Sequence, residues 1–157
     1  MKPLSPVSVH DPRVAACAQP ILAVDDMTPA GAQDPQLSFE SGTPLRYYLM
    51  RLRRRAAVVG ALTRHERATQ CLASADAKPW WIVLAPPDRS PSDLSTDDLL
   101  LIRLEPDQGL KLNRGCWHAG PFFEQTSALF FNLELADTNI NDHGFQSLAV
   151  QVQLQLS

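Results

Sequence analysis

The sequence predicts an all-β fold, a β-sandwich or a β-barrel with little helix, on the basis of three observations. About ten apolar segments of strand length follow one another between turn-forming residues. No long amphipathic helical pattern interrupts them. The segment 148–156 alternates apolar residues with glutamine, which is typical of an antiparallel strand with one face in water. These patterns do not distinguish a sandwich from a barrel.

The N-terminal segment 1–20 is rich in proline and predicts an arm rather than regular structure. Only 7–9 has the pattern of a short edge strand. A proline-rich arm without a core of its own needs a surface to dock on, and a partner subunit is one such surface. Farther along, 20–24 has the composition of a strand, whereas 27–44 is mostly loop, in which 37–40 can add one more short strand.

From residue 45 onward the strand pattern becomes regular. The predicted strands of this region are 45–52, 56–63, 69–72, 80–85, 99–104, 110–113, 127–136 and 148–156. Gly60 predicts a bulge or a close approach within its strand. Ser92 or Ser95 can cap a short helical turn ahead of two aspartates. The stretch after 113 predicts a bend that carries His118, and 137–144 predicts a polar loop.

Length and composition indicate a single domain spanning 1–157 with one sizeable core, since 45% of the residues are apolar. The net charge of −3 argues against a general nucleic-acid binder, which needs a basic face. The one basic run, 51–55, places Arg51, Arg53 and Arg55 on one face of a strand and Arg54 on the other. It is interpreted as an edge strand protected by charge, with binding of an anionic ligand as the alternative.

Cysteine usage and the N-terminal residues favour a cytoplasmic protein. The chain has three cysteines and no Cys-x-x-Cys pair, which fits a reducing compartment better than a disulfide framework. The first residues lack the apolar core of a signal peptide, and no apolar run approaches membrane-spanning length. No membrane partner is therefore expected.

The stretch 109–121 combines glycines, a tryptophan and a histidine at the end of a short strand. Polar residues at the end of a strand, in a chain that otherwise builds a β core, often form a small-molecule site. The alternative is that Trp117 belongs to the core and His118 is an ordinary surface histidine. His10 and His143 lie in predicted loops or near a terminus and are interpreted as surface residues.

This stretch also resembles the ureidoglycolate lyase family. That family has Arg-Gly-Thr-Trp-His, usually continued by His-Pro-Leu, where this chain has Arg114-Gly115-Cys116-Trp117-His118 followed by Ala-Gly-Pro. The second family histidine is therefore absent, and cysteine replaces threonine.

An upstream motif of the same family, Glu-Arg-His followed by Gln, is matched by Arg64, His65 and Gln70, with Thr63 in the glutamate position. The resemblance covers about 45–142, with the motifs in the family's order.

The resemblance implies a cupin-like β-barrel, or double-stranded β-helix, that forms a homodimer. It implies a carbon–nitrogen lyase of allantoin and purine breakdown, which eliminates urea from ureidoglycolate to give glyoxylate. One expected role is that of His118 as base or metal ligand, with His65 assisting or ligating. Arg64 or Arg114 would bind the substrate carboxylate, because the planar guanidinium matches it. The residues expected to hold the rest of the substrate are Gln70, Asn113 and Glu134.

The same residues also include a set of metal ligands. His65, His118 and Glu134 provide two imidazoles and one carboxylate, which a divalent ion such as manganese or zinc can use. No nucleic-acid partner is implied, and the expected partner is a small-molecule substrate.

Several departures from the family leave other functions open. The run 132–143 and the loss of the second histidine resemble a divergent branch found in plants and cyanobacteria. Such a chain can act on another small hydroxy or keto acid with metal assistance. It can also be a barrel that binds a metabolite without catalysis. Cys116 invites a thiol-nucleophile role, but since the family has threonine there, a small filler is the favoured interpretation.

Overall fold

The computed structural model describes residues 3–157 of the chain, which form eleven strands and one short α-helix. The strands are β1 (Val7–Ser8), β2 (Ala18–Ile21), β3 (Leu45–Arg53), β4 (Val58–Arg64), β5 (Gln70–Ser74), β6 (Trp80–Ala85), β7 (Leu100–Leu104), β8 (Gly109–Leu112), β9 (Trp117–Phe122), β10 (Ser127–Leu135) and β11 (Gly144–Gln153). The helix α1 is Thr138–Asn141, and short 3-10 turns occupy Pro12–Ala16, Pro91–Asp93 and Thr96–Asp98.

The strands form two sheets that pack against each other. The first sheet has the order β1-β7-β6-β9-β4-β11 and the second has the order β2-β8-β5-β10-β3. All pairs are antiparallel except β1 with β7. The predicted all-β, cupin-like barrel is therefore confirmed.

Strand β6 lies at the centre of the packing, because its two faces contribute to two separate apolar clusters. Trp80, Ile82 and Leu84 face the second sheet and pack in the cluster between the sheets. Trp81 and Val83 point to the other side of the first sheet and pack in a second cluster. Burial on both faces explains why this strand is continuously apolar in sequence instead of alternating.

The N-terminal segment packs on the chain's own sheets, which supply the surface that a proline-rich arm needs. Strand β1 joins the first sheet and β2 joins the second. The side chains of Val9, Val14 and Cys17 between these strands are buried. Part of the predicted arm, Met1 and Lys2, lies outside the described residues.

Most strands predicted from residue 45 onward are confirmed within a few residues. The helical turn is capped by Ser95 through a capping box with Asp98. Gly60 is a close-approach point, since a Cβ there would lie 3.2 Å from the Gln151 side chain. The strand predicted at 37–40 is wrong, because only Phe39 forms an isolated bridge, with Ala68.

The bend predicted after residue 113 is also wrong in part, since Trp117–Phe122 is a strand. It lies between β6 and β4 and pairs with both. Gly120 has φ 137° and packs against Ile82, where a Cβ would approach within 3.2 Å. Glycine and proline suggested an interruption, but the two neighbouring strands supply backbone partners that keep the segment extended. No helix among residues 3–157 is long and apolar enough to span a membrane.

Candidate functional site

The candidate site lies between the two sheets, where β4 ends, β5 begins and β9 runs alongside. His118 on β9 pairs with Thr63 on β4. The hydroxyl oxygen of Thr63 lies 3.4 Å from Nε2 of His118. His65 follows β4 directly, and the main-chain N–H of Gly115 donates to the His65 carbonyl at 2.7 Å. The two sequence motifs are therefore joined through the backbone.

The imidazole of His118 is held in one tautomer. Its Nδ1 lies 3.1 Å from the carbonyl oxygen of Cys116, and because a carbonyl only accepts, Nδ1 carries the hydrogen. Nε2 therefore has the lone pair and faces the Thr63 hydroxyl. Burial, and secondly the nearby His65, lower the pKa of His118 to about 4. The ring is neutral at pH 7 and can accept a proton at Nε2.

His65 is buried and is fixed by Asp142, a residue in the segment before β11. Nδ1 of His65 donates to the main-chain carbonyl of Asp142. The Asp142 carboxylate accepts from the main-chain N–H groups of Glu66 and Arg67, both at 2.8 Å. The His65 ring lies 5.2 Å from that of His118 and 5.6 Å from that of His143, measured between centroids. Asp142 thus holds both the corner after β4 and the imidazole that the corner carries.

Gly115 is required by the turn that presents Cys116 and His118. Its φ is 75°, a left-handed conformation that side chains other than glycine adopt at a cost. The N–H of Cys116 returns to the carbonyl of Asn113 at 3.1 Å, which closes the turn. This explains the glycine of the motif on physical grounds.

A narrow gap that is closed to water lies on one side of His118. The polar side chains that line it are those of His65, Gln70, Asn113 and His118. The amide nitrogen of Gln70 donates to Asn132 and to Glu134, each at 3.1 Å. Its amide oxygen is buried and has no partner among residues 3–157. Gln70 therefore offers an acceptor beside the two imidazoles.

Beyond Gln70 a polar network crosses the second sheet. Glu134 accepts from the Tyr48 hydroxyl at 2.9 Å, and Asn132 donates to the same hydroxyl oxygen at 3.1 Å. Asn132 and Glu134 are buried, at 1% and 4% exposure. Buried polar groups satisfied by one another fix side-chain positions, so this network makes a rigid wall for the gap.

An open cleft of about 290 Å³ lies on the other side of His118. Five of the residues that line this cleft have side chains suited to contact a ligand, namely Arg55, Thr63, His118, Phe122 and Phe145. The cleft thus combines one cation, one hydroxyl and one neutral imidazole with aromatic walls. Such a mixture suits a small polar anion.

The predicted site residues are brought together only in part. His65, His118, Gln70 and Asn113 line one gap, and Glu134 is one hydrogen bond away. Arg64 is not among them. Its guanidinium carbon lies 4.3 Å from the centre of the Trp117 ring, and it pairs with Glu66 at 3.5 Å. Trp117 packs in the cluster on the opposite face of the sheet from His118.

Arg114 is exposed in the turn. The two arginines expected to bind a carboxylate therefore do not converge on the imidazoles.

The predicted metal set of His65, His118 and Glu134 does not fit a metal ion in this arrangement. Within residues 3–157 no three His, Cys, Asp or Glu side chains are grouped so that they could hold one. Both carboxylate oxygens of Glu134 instead accept hydrogen bonds, from Tyr48 and from Gln70. No chemical step is therefore assigned to a metal.

Cys116 has the properties of a filler rather than of a nucleophile. It is 1% exposed, and burial raises the pKa of its thiol well above the ordinary value. A reactive thiol needs the opposite shift. The pKa of Cys71 is likewise raised by burial, to about 11.

Sequence reasoning missed Tyr48, Asp142 and Arg55 as parts of the site. His143, interpreted as a surface residue, is exposed but also contacts the His65 ring. The alternation of 127–135 was the one available signal, because it placed Asn132 and Glu134 on one face with Phe130. Asp142 acts through its main-chain carbonyl as well as its carboxylate. Because every residue has a main-chain carbonyl, this contact cannot be predicted from the residue type.

The family model for ureidoglycolate lyase matches residues 18–153. No curated protein matches the chain.

Proposed function

Because this chain belongs to the ureidoglycolate lyase family, we propose that it eliminates urea from ureidoglycolate to give glyoxylate. The observation that carries the proposal is the neutral imidazole of His118, whose Nε2 lone pair faces the Thr63 hydroxyl. His118 lies between the narrow polar gap and the open cleft and lines both. Ureidoglycolate is a carbinolamine, in which one carbon bears a hydroxyl, a carboxylate and a urea nitrogen. Its breakdown needs proton transfer and no oxidant.

The proposed step begins with the substrate hydroxyl near Nε2 of His118. Nε2 takes the hydroxyl proton, the C–O bond gains double-bond character, and the C–N bond breaks with its electron pair going to nitrogen. The same Nε2 returns the proton to that nitrogen, and urea leaves. His118 is a weak base because its pKa is about 4. Immediate transfer to the leaving nitrogen means that the protonated ring does not accumulate.

The amides on the closed side suit the ureido group. The unpartnered amide oxygen of Gln70 can accept from a ureido N–H, and Asn113 lies in the same gap. The gap has no room for a water molecule. A ureido group therefore enters only when one of the side chains that line the gap rotates. His65, fixed by the Asp142 carbonyl, lines the same gap with its ring centre 5.2 Å from that of His118.

The test is glyoxylate release from racemic ureidoglycolate by wild type and by His118→Ala. We expect the variant to lose turnover by about 10²- to 10⁴-fold, as is usual when a general base is removed. His10→Ala is the matched control, because His10 is exposed and lies in the N-terminal segment. Wild-type turnover that survives His118→Ala would refute the assignment of the base.

The same assay with a chelator, and with manganese or zinc restored, tests metal assistance on this or another hydroxy acid. The homodimer stays a prediction, which light scattering after size-exclusion chromatography tests.

A further inference from the structure

Arg55 lies at the mouth of the open cleft, just beyond the end of β3. Its guanidinium carbon is 4.5 Å from the centre of the Phe122 ring. Arg55 and His118 line the same cleft, together with Thr63. The alternation predicted for 51–55 grouped Arg55 with Arg51 and Arg53, but β3 ends at Arg53 and Arg55 turns toward β9 instead.

The charge of Arg55 has no compensating carboxylate among residues 3–157. The ion pairs of that part of the chain involve other arginines, namely Arg13, Arg64, Arg67, Arg89 and Arg103. Partial desolvation lowers the pKa of Arg55, although the residue as a whole is exposed. Its guanidinium is therefore within reach of a ligand in the cleft, and no protein carboxylate competes for it.

Neighbouring arginines do not share this position. Arg51 and Arg53 are exposed, as Arg55 is, but they lie on the edge strand and do not line the cleft. Arg54 donates to the main-chain carbonyl of Glu124 at 2.9 Å. Arg64 is stacked on Trp117 and pairs with Glu66. Among the described arginines, Arg55 is the one that shares a cleft with His118.

We propose that Arg55 is the carboxylate anchor of this site and takes the α-carboxylate of a small hydroxy acid whose hydroxyl lies toward Nε2 of His118. The inference rests on the proposed function and names the residue that selects its substrate class. The planar fork of guanidinium can hold both carboxylate oxygens, and the Phe122 ring packs 4.5 Å from its central carbon. Arg55 then replaces Arg64 and Arg114 in the role first expected of them.

The deciding experiment compares two substrates in three proteins. Ureidoglycolate carries the carboxylate, whereas hydroxymethylurea is the same carbinolamine with hydrogen in place of the carboxylate. The proteins are wild type, Arg55→Gln and the control Arg53→Gln. We expect Arg55→Gln to lower kcat/KM for ureidoglycolate by about 30- to 300-fold, mainly through KM, the usual range when a charged hydrogen-bond partner is removed.

Turnover of hydroxymethylurea, which already lacks the carboxylate, should change less than about threefold in Arg55→Gln. Arg55→Lys should recover only part of the activity on ureidoglycolate, because a single ammonium does not reproduce the fork. Equal losses on both substrates, or no loss on ureidoglycolate, would overturn the anchor while leaving the lyase in place.

Glyoxylate binding by calorimetry separates failure of the anchor from failure of the lyase. If wild type turns over neither carbinolamine, the lyase proposal fails, yet glyoxylate should still bind wild type at least tenfold tighter than Arg55→Gln. Equal glyoxylate affinities would overturn the anchor whatever the turnover. Thermal unfolding of each variant identifies any loss that comes from misfolding.

Discussion

Strand β10 runs through two contrasting halves of the space between the sheets. Its inward residue Phe130 packs edge-on against Trp80 with centroids 5.3 Å apart, in the apolar half. Two and four residues later, Asn132 and Glu134 are equally buried but belong to the polar network that leads to Gln70. The inward face of this one strand thus contributes to the apolar core at Phe130 and to the candidate site at Asn132 and Glu134.

The difference shows what each half requires of its side chains. The apolar half is held by area removed from water and depends on volume and close packing. The polar half is held by specific partners, each of which leaves another group unsatisfied when it is removed. Substitutions in the first half should therefore reduce stability, whereas those in the second should reduce activity at least as much.

The largest expected effect is in the apolar half. Trp80→Ala should lower the free energy of unfolding by about 3–5 kcal/mol, the usual cost of removing a large buried aromatic side chain. Tyr47→Ala is the matched control, because Tyr47 is 69% exposed on the outer face of the second sheet. It should cost less than about 1 kcal/mol. Urea unfolding of both variants measures the contrast, and equal losses would contradict it.

Acidification should lower the free energy of unfolding through His118, which lines the gap beside the polar half. The folded-state pKa is about 4 and the ordinary value is 6.5, so the unfolded chain takes up the proton first as pH falls. Stability from this group is complete above pH 6.5 and is lost progressively down to about pH 4, by about 3 kcal/mol. His118→Asn should remove this part of the pH dependence. Urea unfolding at several pH values measures it, and identical slopes in both proteins would contradict the prediction.

Asp142→Asn should have a smaller effect on stability and should also lower kcat. An amide oxygen replaces only one of the two carboxylate acceptors, so one main-chain N–H of Glu66 or Arg67 loses its partner. We expect a loss of about 1–2 kcal/mol in the free energy of unfolding and a fall in kcat, because the corner also carries His65. Asp97→Asn, at an exposed position, is the control. Unchanged kcat in a destabilised variant would show that Asp142 supports the fold alone.

An effect on stability of similar size is expected from backbone conformation. Gly115→Ala and Gly42→Ala both place alanine at a positive φ, of 75° and 86°. Each should cost about 1–2 kcal/mol in the free energy of unfolding. Only Gly115→Ala should also reduce turnover, because that turn presents His118. Similar turnover of the two variants would show that the turn tolerates a shift.

Much of the fold was predictable because strand patterns are local. The run 80–85 and the alternation of 148–156 record burial residue by residue, so β6 and β11 were found from sequence. Strand β9 was missed because glycine and proline predict a break, and only pairing with β6 and β4 keeps this segment extended. The segment 18–21 was partly missed for a similar reason, since proline at its third position is tolerated because β2 is an edge strand of its sheet.

The sequence by itself determined the motif residues and their approximate places. Glycine at 115 and the imidazoles of His65 and His118 followed from residue type and order. Tertiary structure alone decided which arginine shares a cleft with His118, because Arg64 stacks on Trp117 whereas Arg55 lines the cleft.

Tertiary structure also decided which row of β10 turns inward. Alternation gives two rows, and the more apolar one, with Leu129, Phe131 and Leu133, faces outward, where Phe131 is 40% exposed. A periodicity of two fixes which residues share a face, but the direction of that face depends on what the other sheet places against it.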